Sequence, residues 1–404
     1  MIRRETYMKQ IRPFIGKDLV KVLTGIRRSG KSVFLQLIAQ ELAERGIDSS
    51  HFIMYNFEDM SNSHLCTAES LHTELDQRIR GIEGKTYLFL DEIQEVSSWE
   101  KCINSIRVKH DCDIYITGSN AKLLSGELAT YLAGRYVEFI IYPYSYAEFR
   151  ISYLACYPDM PNPDIFRQYL LLGGMPYLGN LSFEEKPSRQ YLQDVFSSVV
   201  LKDIMMRNTV RDADLLRRII TYVFGSIGTT FSANSLSNYF KSENRTVAKE
   251  TILNYLKYCE DAFLLYRVSR QDLMGKKILA VNEKYYVADH GLREAVYGGN
   301  MRDINLTLEN IVFLELLRRG YQVTVGKKDD REIDFVCETH KGKIYIQVTY
   351  LLASQDTIDR EFGAFRGIED NYPKYVLSMD DFDMSRDGII HRNIPDFLLE
   401  AEFV

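Results

Sequence analysis

No stretch of this chain stays apolar for the roughly 18–20 residues that a membrane-spanning helix needs, so no membrane is expected among its partners. Cysteine is scarce and dispersed. Its six residues, Cys66, Cys102, Cys112, Cys156, Cys259 and Cys337, include no C-x-x-C pair. That spacing excludes a disulfide framework and a thiolate zinc site, and it suits reduced thiols in a cytosol. The seven histidines form no H-E-x-x-H or comparable cluster, which removes a common metal-hydrolase pattern. Basic charge is not in excess. A formal net charge of −6 excludes a wholly basic nucleic-acid binder and leaves room only for a local basic patch. Internal repeats and low-complexity tracts are missing, and so is the apolar core of a secretory signal after Met1. A cytoplasmic location is expected.

What is present is ordinary in bulk. With 404 residues, 46% hydrophobic and 26% charged, the chain suits a globular protein of two to four domains. Residues 1–150 alternate apolar runs with amphipathic segments, which predicts an α/β domain with a parallel sheet. Residues 151–211 read as a helical linker or lid, with a glycine stop at Gly173-Gly174-Met175-Pro176. Residues 212–298 read as a helix-turn-helix unit with a wing around Gly275-Lys276-Lys277, and 299–404 as a further α/β domain.

The chemistry concentrates first at Gly25-Ile26-Arg27-Arg28-Ser29-Gly30-Lys31-Ser32, which fits G-x-x-x-x-G-K-[ST] at every fixed position. It follows a strand-like run from Leu19 and precedes a helix-like run from Val33, the context this motif requires. Glycines let backbone N–H groups cradle phosphate oxygens, and the helix N-terminus favours the anion. Lys31 is placed to reach the β and γ phosphates, and the Ser32 hydroxyl to ligate Mg²⁺. Gly25, Arg28, Ser29, Gly30, Lys31, Ser32 and Val33 are the expected nucleotide contacts. Arg27 is a further basic group beside the phosphates.

A second run, Thr86-Tyr87-Leu88-Phe89-Leu90-Asp91-Glu92, is apolar without alternation and suits a central parallel strand. Asp91 is expected to hold the Mg²⁺ shell and Glu92 to act as general base. A third strand ends in Thr117-Gly118-Ser119-Asn120, where Asn120, or else Ser119, can sense the γ-phosphate; a turn requirement explains the same letters. Asn56 is placed to hold Glu92 in an unproductive pose. Arg135 is a candidate to neutralise phosphoryl charge, in its own chain or in a neighbouring copy.

In the helix-turn-helix region the third helix carries Lys249, Asn254 and Lys257, candidates for phosphate contacts. Farther on, Glu309 on an amphipathic helix, Asp334 on a strand and Gln347 on the next strand match the layout of PD-(D/E)XK metal-dependent nucleases, with Mg²⁺ as the expected ion. The lysine of that pattern is replaced by Thr349, which cannot supply the cation that activates water.

Taken in order, these stretches, together with Leu132-Ala133-Gly134-Arg135 and Glu309-Asn310-Ile311-Val312-Phe313, resemble a widespread prokaryotic family. Its members are AAA-type P-loop ATPases that carry a C-terminal domain of unknown function with a restriction-endonuclease-like core. The resemblance implies a nucleotide-binding core, a middle winged helix and a nuclease-like tail. The expected function is Mg²⁺-dependent ATP binding and hydrolysis coupled to the later domains, with DNA or another protein as candidate partner. Two alternatives stand beside it: an ATP/ADP-gated switch that hydrolyses little, and an ATP-regulated nuclease, which Thr349 disfavours.

Overall fold

The computed structural model describes residues 2–124, 131–273, 277–328, 331–340 and 342–400. They form two compact units, residues 1–142 with 261–263, and residues 143–260 with 264–404.

The first unit is a five-stranded sheet of β1 (Val20–Thr24), β2 (Phe52–Asn56), β3 (Thr86–Asp91), β4 (Cys112–Thr117) and β5 (Tyr136–Ile140). Its order is β2-β3-β4-β1-β5, and every pairing is parallel. Helices α1 (Glu5–Ile11), α2 (Lys31–Glu44), α3 (Ala68–Arg80) and α4 (Trp99–Lys109) accompany it. β1, β3 and β4 are buried along their whole length, which is why their sequences run apolar without alternation. Val20, Val22, Leu88, Leu90, Ile114 and Ile116 share one core with Leu71 and Leu75 of α3 and Ile103 and Ile106 of α4. Alternate residues serve the other face, where the rings of Phe89 and Tyr115 stack at 5.1 Å. There the ammonium of Lys21 is paired with Asp113, both fully buried. Asp113 also accepts from Gly16 N at 2.7 Å and Tyr115 OH at 2.8 Å.

The second unit begins with α5 (Tyr146–Cys156), α6 (Asn162–Leu172) and α7 (Glu185–Ser198), the last continuing into a π-helical turn, Val199–Met205. α6 stops at Gly173, whose φ of 73° favours glycine. α8 (Ala213–Gly225) and α9 (Ala233–Ser242) are capped by Asp212 and Ser232, which accept from Leu215 N and Ser235 N. α10 spans Lys249–Asp261.

The stretch read as a wing holds an antiparallel pair of strands, β6 (Leu265–Asp272) and β7 (Lys277–Val287). Gly275 and Lys276 lie outside the described residues. The hairpin is also the edge of a larger sheet. β6 pairs with β8 (Gln322–Lys328), and the order runs β12-β11-β10-β9-β8-β6-β7, with β9 (Arg331–Thr339), β10 (Gly342–Val348), β11 (Lys374–Ser378) and β12 (Ile389–Asn393). The expected boundary at 298/299 therefore falls within one continuous sheet.

Helices α11 (His290–Val296), α12 (Ile304–Arg318), α13 (Gln355–Gly363) and α14 (Ile394–Leu399) complete the unit. α12 is buried at every position from Thr307 to Leu316, so it is a core helix rather than the amphipathic one expected. No helix among the described residues is long and apolar enough to cross a membrane.

Candidate nucleotide site

Parallel strands present their carboxyl ends along one edge, and ligands of open α/β sheets sit there. β1 leaves that edge into Gly25 and the loop that opens α2 at Lys31. Gly25 has a φ of 134°, and a Cβ there would lie 2.3 Å from the carbonyl oxygen of Ile141. Only glycine fits. Gly30 (φ 99°) and Arg28 (φ 69°) also take left-handed backbone, which turns successive amides inward. Lys31 curls over the loop and donates to Gly25 O at 3.0 Å and Ile26 O at 3.2 Å. Arg28, Ser32 and Val33 are exposed and Ser29 is buried. Arg27 is turned aside to Glu58 at 2.9 Å.

β3 ends at the same edge. The Thr117 hydroxyl donates to Asp91 Oδ1 at 2.6 Å and accepts from Glu92 N at 2.8 Å, tying the ends of β3 and β4 together. Both acids are buried, and Glu92 takes left-handed backbone (φ 53°) as it leaves the strand. The Gln94 side-chain amide donates to Glu92 Oε2. Asn56 does not take that role. Its amide oxygen accepts from Glu58 N at 2.9 Å in a local turn, although Asn56 is in register with Asp91 on the neighbouring strand. Ser119 and Asn120 are buried just past β4, whose Gly118 N donates to Leu23 O at 3.0 Å.

Arg135 lies elsewhere. It precedes β5, and Tyr136 is in register with Val20, the first residue of β1. In a parallel pair this is the amino edge, about 16 Å of strand from the loop at ~3.3 Å per residue. Its exposed guanidinium meets Asn104 at 3.4 Å. Arg135 therefore does not reach the loop of its own chain. Residue order suggested proximity, but strand direction decides the edge.

Three contributors carried no role in the sequence reading. Thr117 and Gln94 show only once β3 and β4 pair. Arg4 of the N-terminal segment is buried and donates to Ser29 O at 3.0 Å and Tyr142 O at 2.8 Å, bracing the loop from behind. Ser29 Oγ and Gln94 Oε1 are buried and make no hydrogen bond within the described residues. A glycine-lined cradle, a lysine over it and a carboxylate pair at the same edge fit a triphosphate with its magnesium.

Glu309, Asp334 and Gln347 also come together, in the second unit, but around a cation of the protein's own. Lys284 of β7 sits 3.0 Å from Glu309, 2.8 Å from Glu332 and 3.9 Å from Asp334. Burial opposes its charge, yet the three carboxylates outweigh burial and hold it protonated above the ordinary lysine range. Burial, then Glu309, pushes Asp334 well above the usual carboxylate range. Tyr286 donates to Glu309 at 2.6 Å, Gln347 Oε1 accepts from Asp334 N at 3.1 Å, and Val348 N donates to Asp334 at 2.9 Å. Among the described residues no three His, Cys, Asp or Glu side chains are grouped to hold a metal ion. Glu309, Asp334 and Gln347, expected as a second Mg²⁺ site, are gathered in one place, and the ammonium beside them comes from position 284, not 349.

Residues 17–150 match the AAA domain family, and residues 163–303 match a domain of unknown function, DUF8612. An uncharacterized protein of Haemophilus influenzae is 37% identical over 401 residues, covering 99% of both chains. The chain belongs to the same family as that protein. An uncharacterized protein of Methanocaldococcus jannaschii is 29% identical over 86% of this chain and 78% of its own. Among solved structures, Aeropyrum pernix ORC1 in complex with DNA aligns at 11% identity over 73% of this chain and 92% of that one, with a TM-score of 0.32. AMPPCP-bound DnaA of Aquifex aeolicus aligns at 16% identity over 64% and 87%, with a TM-score of 0.34.

Proposed function

We propose that this chain binds ATP with Mg²⁺ at the loop Gly25–Ser32 and hydrolyses it, using the nucleotide state to control its second unit. One observation carries the reading. The glycine cradle under Lys31 and the pair Asp91 and Glu92 stand at the same carboxyl edge, with Thr117 tying the acids in place. In this role Lys31 leaves its loop carbonyls for phosphate oxygens, and Ser32 and Asp91 hold the magnesium. The metal, when bound, neutralises phosphate charge. Glu92 takes the proton of the attacking water, and Asn120 orients that water. Any contribution of Arg135 comes from a neighbouring copy, since it stands at the amino edge of its own sheet.

DNA is the partner we favour for the second unit, because α10 turns Lys249 and Asn254 to solvent. Cleavage is not part of the proposal, since Thr349 stands at the lysine position of the nuclease pattern and the lysine that meets these acids, Lys284, comes from a different strand. A second reading has support from one contact. Gln94 holds the Glu92 carboxylate, which suits a switch with slow turnover until a partner frees that acid.

Calorimetric ATP titration of Lys31→Ala tests the site; it is expected to lose binding, and normal binding would overturn the assignment. Steady-state turnover with and without DNA separates the two readings. DNA stimulation favours the first, and slow, partner-independent turnover favours the switch.

A further inference from the structure

In the second unit, α8, α9 and Tyr297 just after α11 line an open cavity of about 520 Å³. Its lining includes three tyrosines, Tyr222, Tyr239 and Tyr297, and two arginines, Arg217 and Arg218. The tyrosines are 38%, 48% and 38% exposed, a large aromatic area to leave in water at one place. The rings of Tyr222 and Tyr239 stand 6.2 Å apart, 36° from parallel. The Arg302 guanidinium faces the ring of Tyr297 at 5.8 Å. Gly225 makes room for this arrangement, because a Cβ there would lie 2.9 Å from the Tyr297 ring.

The cavity lining holds two guanidiniums and no carboxylate. Carboxylates stand just outside the lining, where Glu243 accepts from the Tyr239 hydroxyl at 2.8 Å. Arg218 is shared with Asp214 at 3.0 Å and Glu243 at 3.3 Å. Arg217 is exposed and makes no ion pair with the described residues. Exposed tyrosine faces take flat rings by stacking, and a guanidinium beside them takes the anion attached to such a ring. The volume falls within the few hundred Å³ of small-ligand sites. A purely aliphatic ligand would use neither the ring faces nor Arg217.

We propose that this cavity binds a nucleobase together with its phosphate, as a site separate from the loop Gly25–Ser32. Two sources share that chemistry, a single-stranded nucleic acid and a free mononucleotide.

The test uses the full chain carrying Lys31→Ala, so that the loop cannot contribute and a failure here is distinct from a failure of the ATP assignment. A labelled 20-residue oligothymidylate is titrated by fluorescence anisotropy, and AMP is titrated by calorimetry. Adding Tyr222→Ala is expected to weaken whichever probe binds by roughly 5- to 150-fold, the loss of one stacked base. Tyr222→Phe, which keeps the ring, should restore it. Arg217→Gln should lower the salt slope of strand binding by about 1. Binding of the strand alone identifies a nucleic acid as the source, and equal competition by AMP identifies the mononucleotide. The proposal is overturned if neither probe binds at millimolar concentration, or if Tyr222→Ala binds as tightly as its parent.

Discussion

The Gln94 side-chain amide donates to the Glu92 carboxylate, two residues away across a left-handed turn. Glu92 is the expected general base, so Gln94 governs where that base points. Glu92→Gln is expected to retain ATP affinity and lose turnover by roughly 10²- to 10⁴-fold. Gln94→Ala should keep affinity and shift kcat by no more than about tenfold, because it removes the holder and not the base. Parallel binding and turnover measurements check this; a Gln94→Ala chain that loses ATP binding would show that Gln94 shapes the pocket instead.

The loop depends on Gly25. An alanine there meets Ile141 O at 2.3 Å and must hold a φ of 134°. Gly25→Ala should abolish ATP binding and lower the melting temperature, read by calorimetry and thermal unfolding. An alanine chain that binds ATP at wild-type strength would contradict the close approach of these two strands.

Lys21 and Asp113 form a fully buried ion pair. Removing one member strands the other without water. Asp113→Ala should cost about 3–5 kcal/mol in urea unfolding, whereas replacing both residues with apolar ones should cost less. Lys284→Met should destabilise on the same grounds, since Glu309, Glu332 and Asp334 would lose their shared cation. In that variant lower pH should recover stability as the acids take up protons.

His290 is buried and bonded through Nε2 to Tyr169 O at 2.5 Å. Burial lowers its pKa from 6.5 to about 4. A depressed histidine contributes stability above pH 6.5 that is lost as pH falls through 4, here about 3 kcal/mol. Its neighbour Asp289, raised by burial to about 6, acts with the opposite sign. The stability advantage of wild type over His290→Asn should therefore shrink as pH is lowered from 7 to 4.5, with Asp289 common to both. An advantage that stays constant across this range would exclude a neutral buried imidazole.

The phosphate loop, Asp91 and Glu92 were legible because each lies within a few residues of the strand that delivers it, and the motif spacing encodes the turn. Thr117 was not, since its bond to Asp91 spans 26 positions and needs the β3–β4 register. Arg135 was placed by nearness in the sequence to β5, but a parallel strand separates its two ends by its whole length. Lys284 was overlooked because it sits in the hairpin read as a wing, and only the β6–β8 pairing brings that hairpin beside Glu332. Glu309, Asp334 and Gln347 were gathered as expected, while the charge among them was not readable from their own spacing.

The contact between Gly25 and Ile141 has a consequence for biosynthesis. The motif is complete when residue 32 leaves the ribosome, yet its back wall arrives only with β5, where Ile141 N bonds Thr24 O at 2.8 Å. A nascent chain halted before residue 141 would carry every letter of the signature and still lack the surface that shapes it. Nucleotide capture should thus begin only after more than a third of the polypeptide has emerged, which makes ATP a reporter of finished folding in this unit.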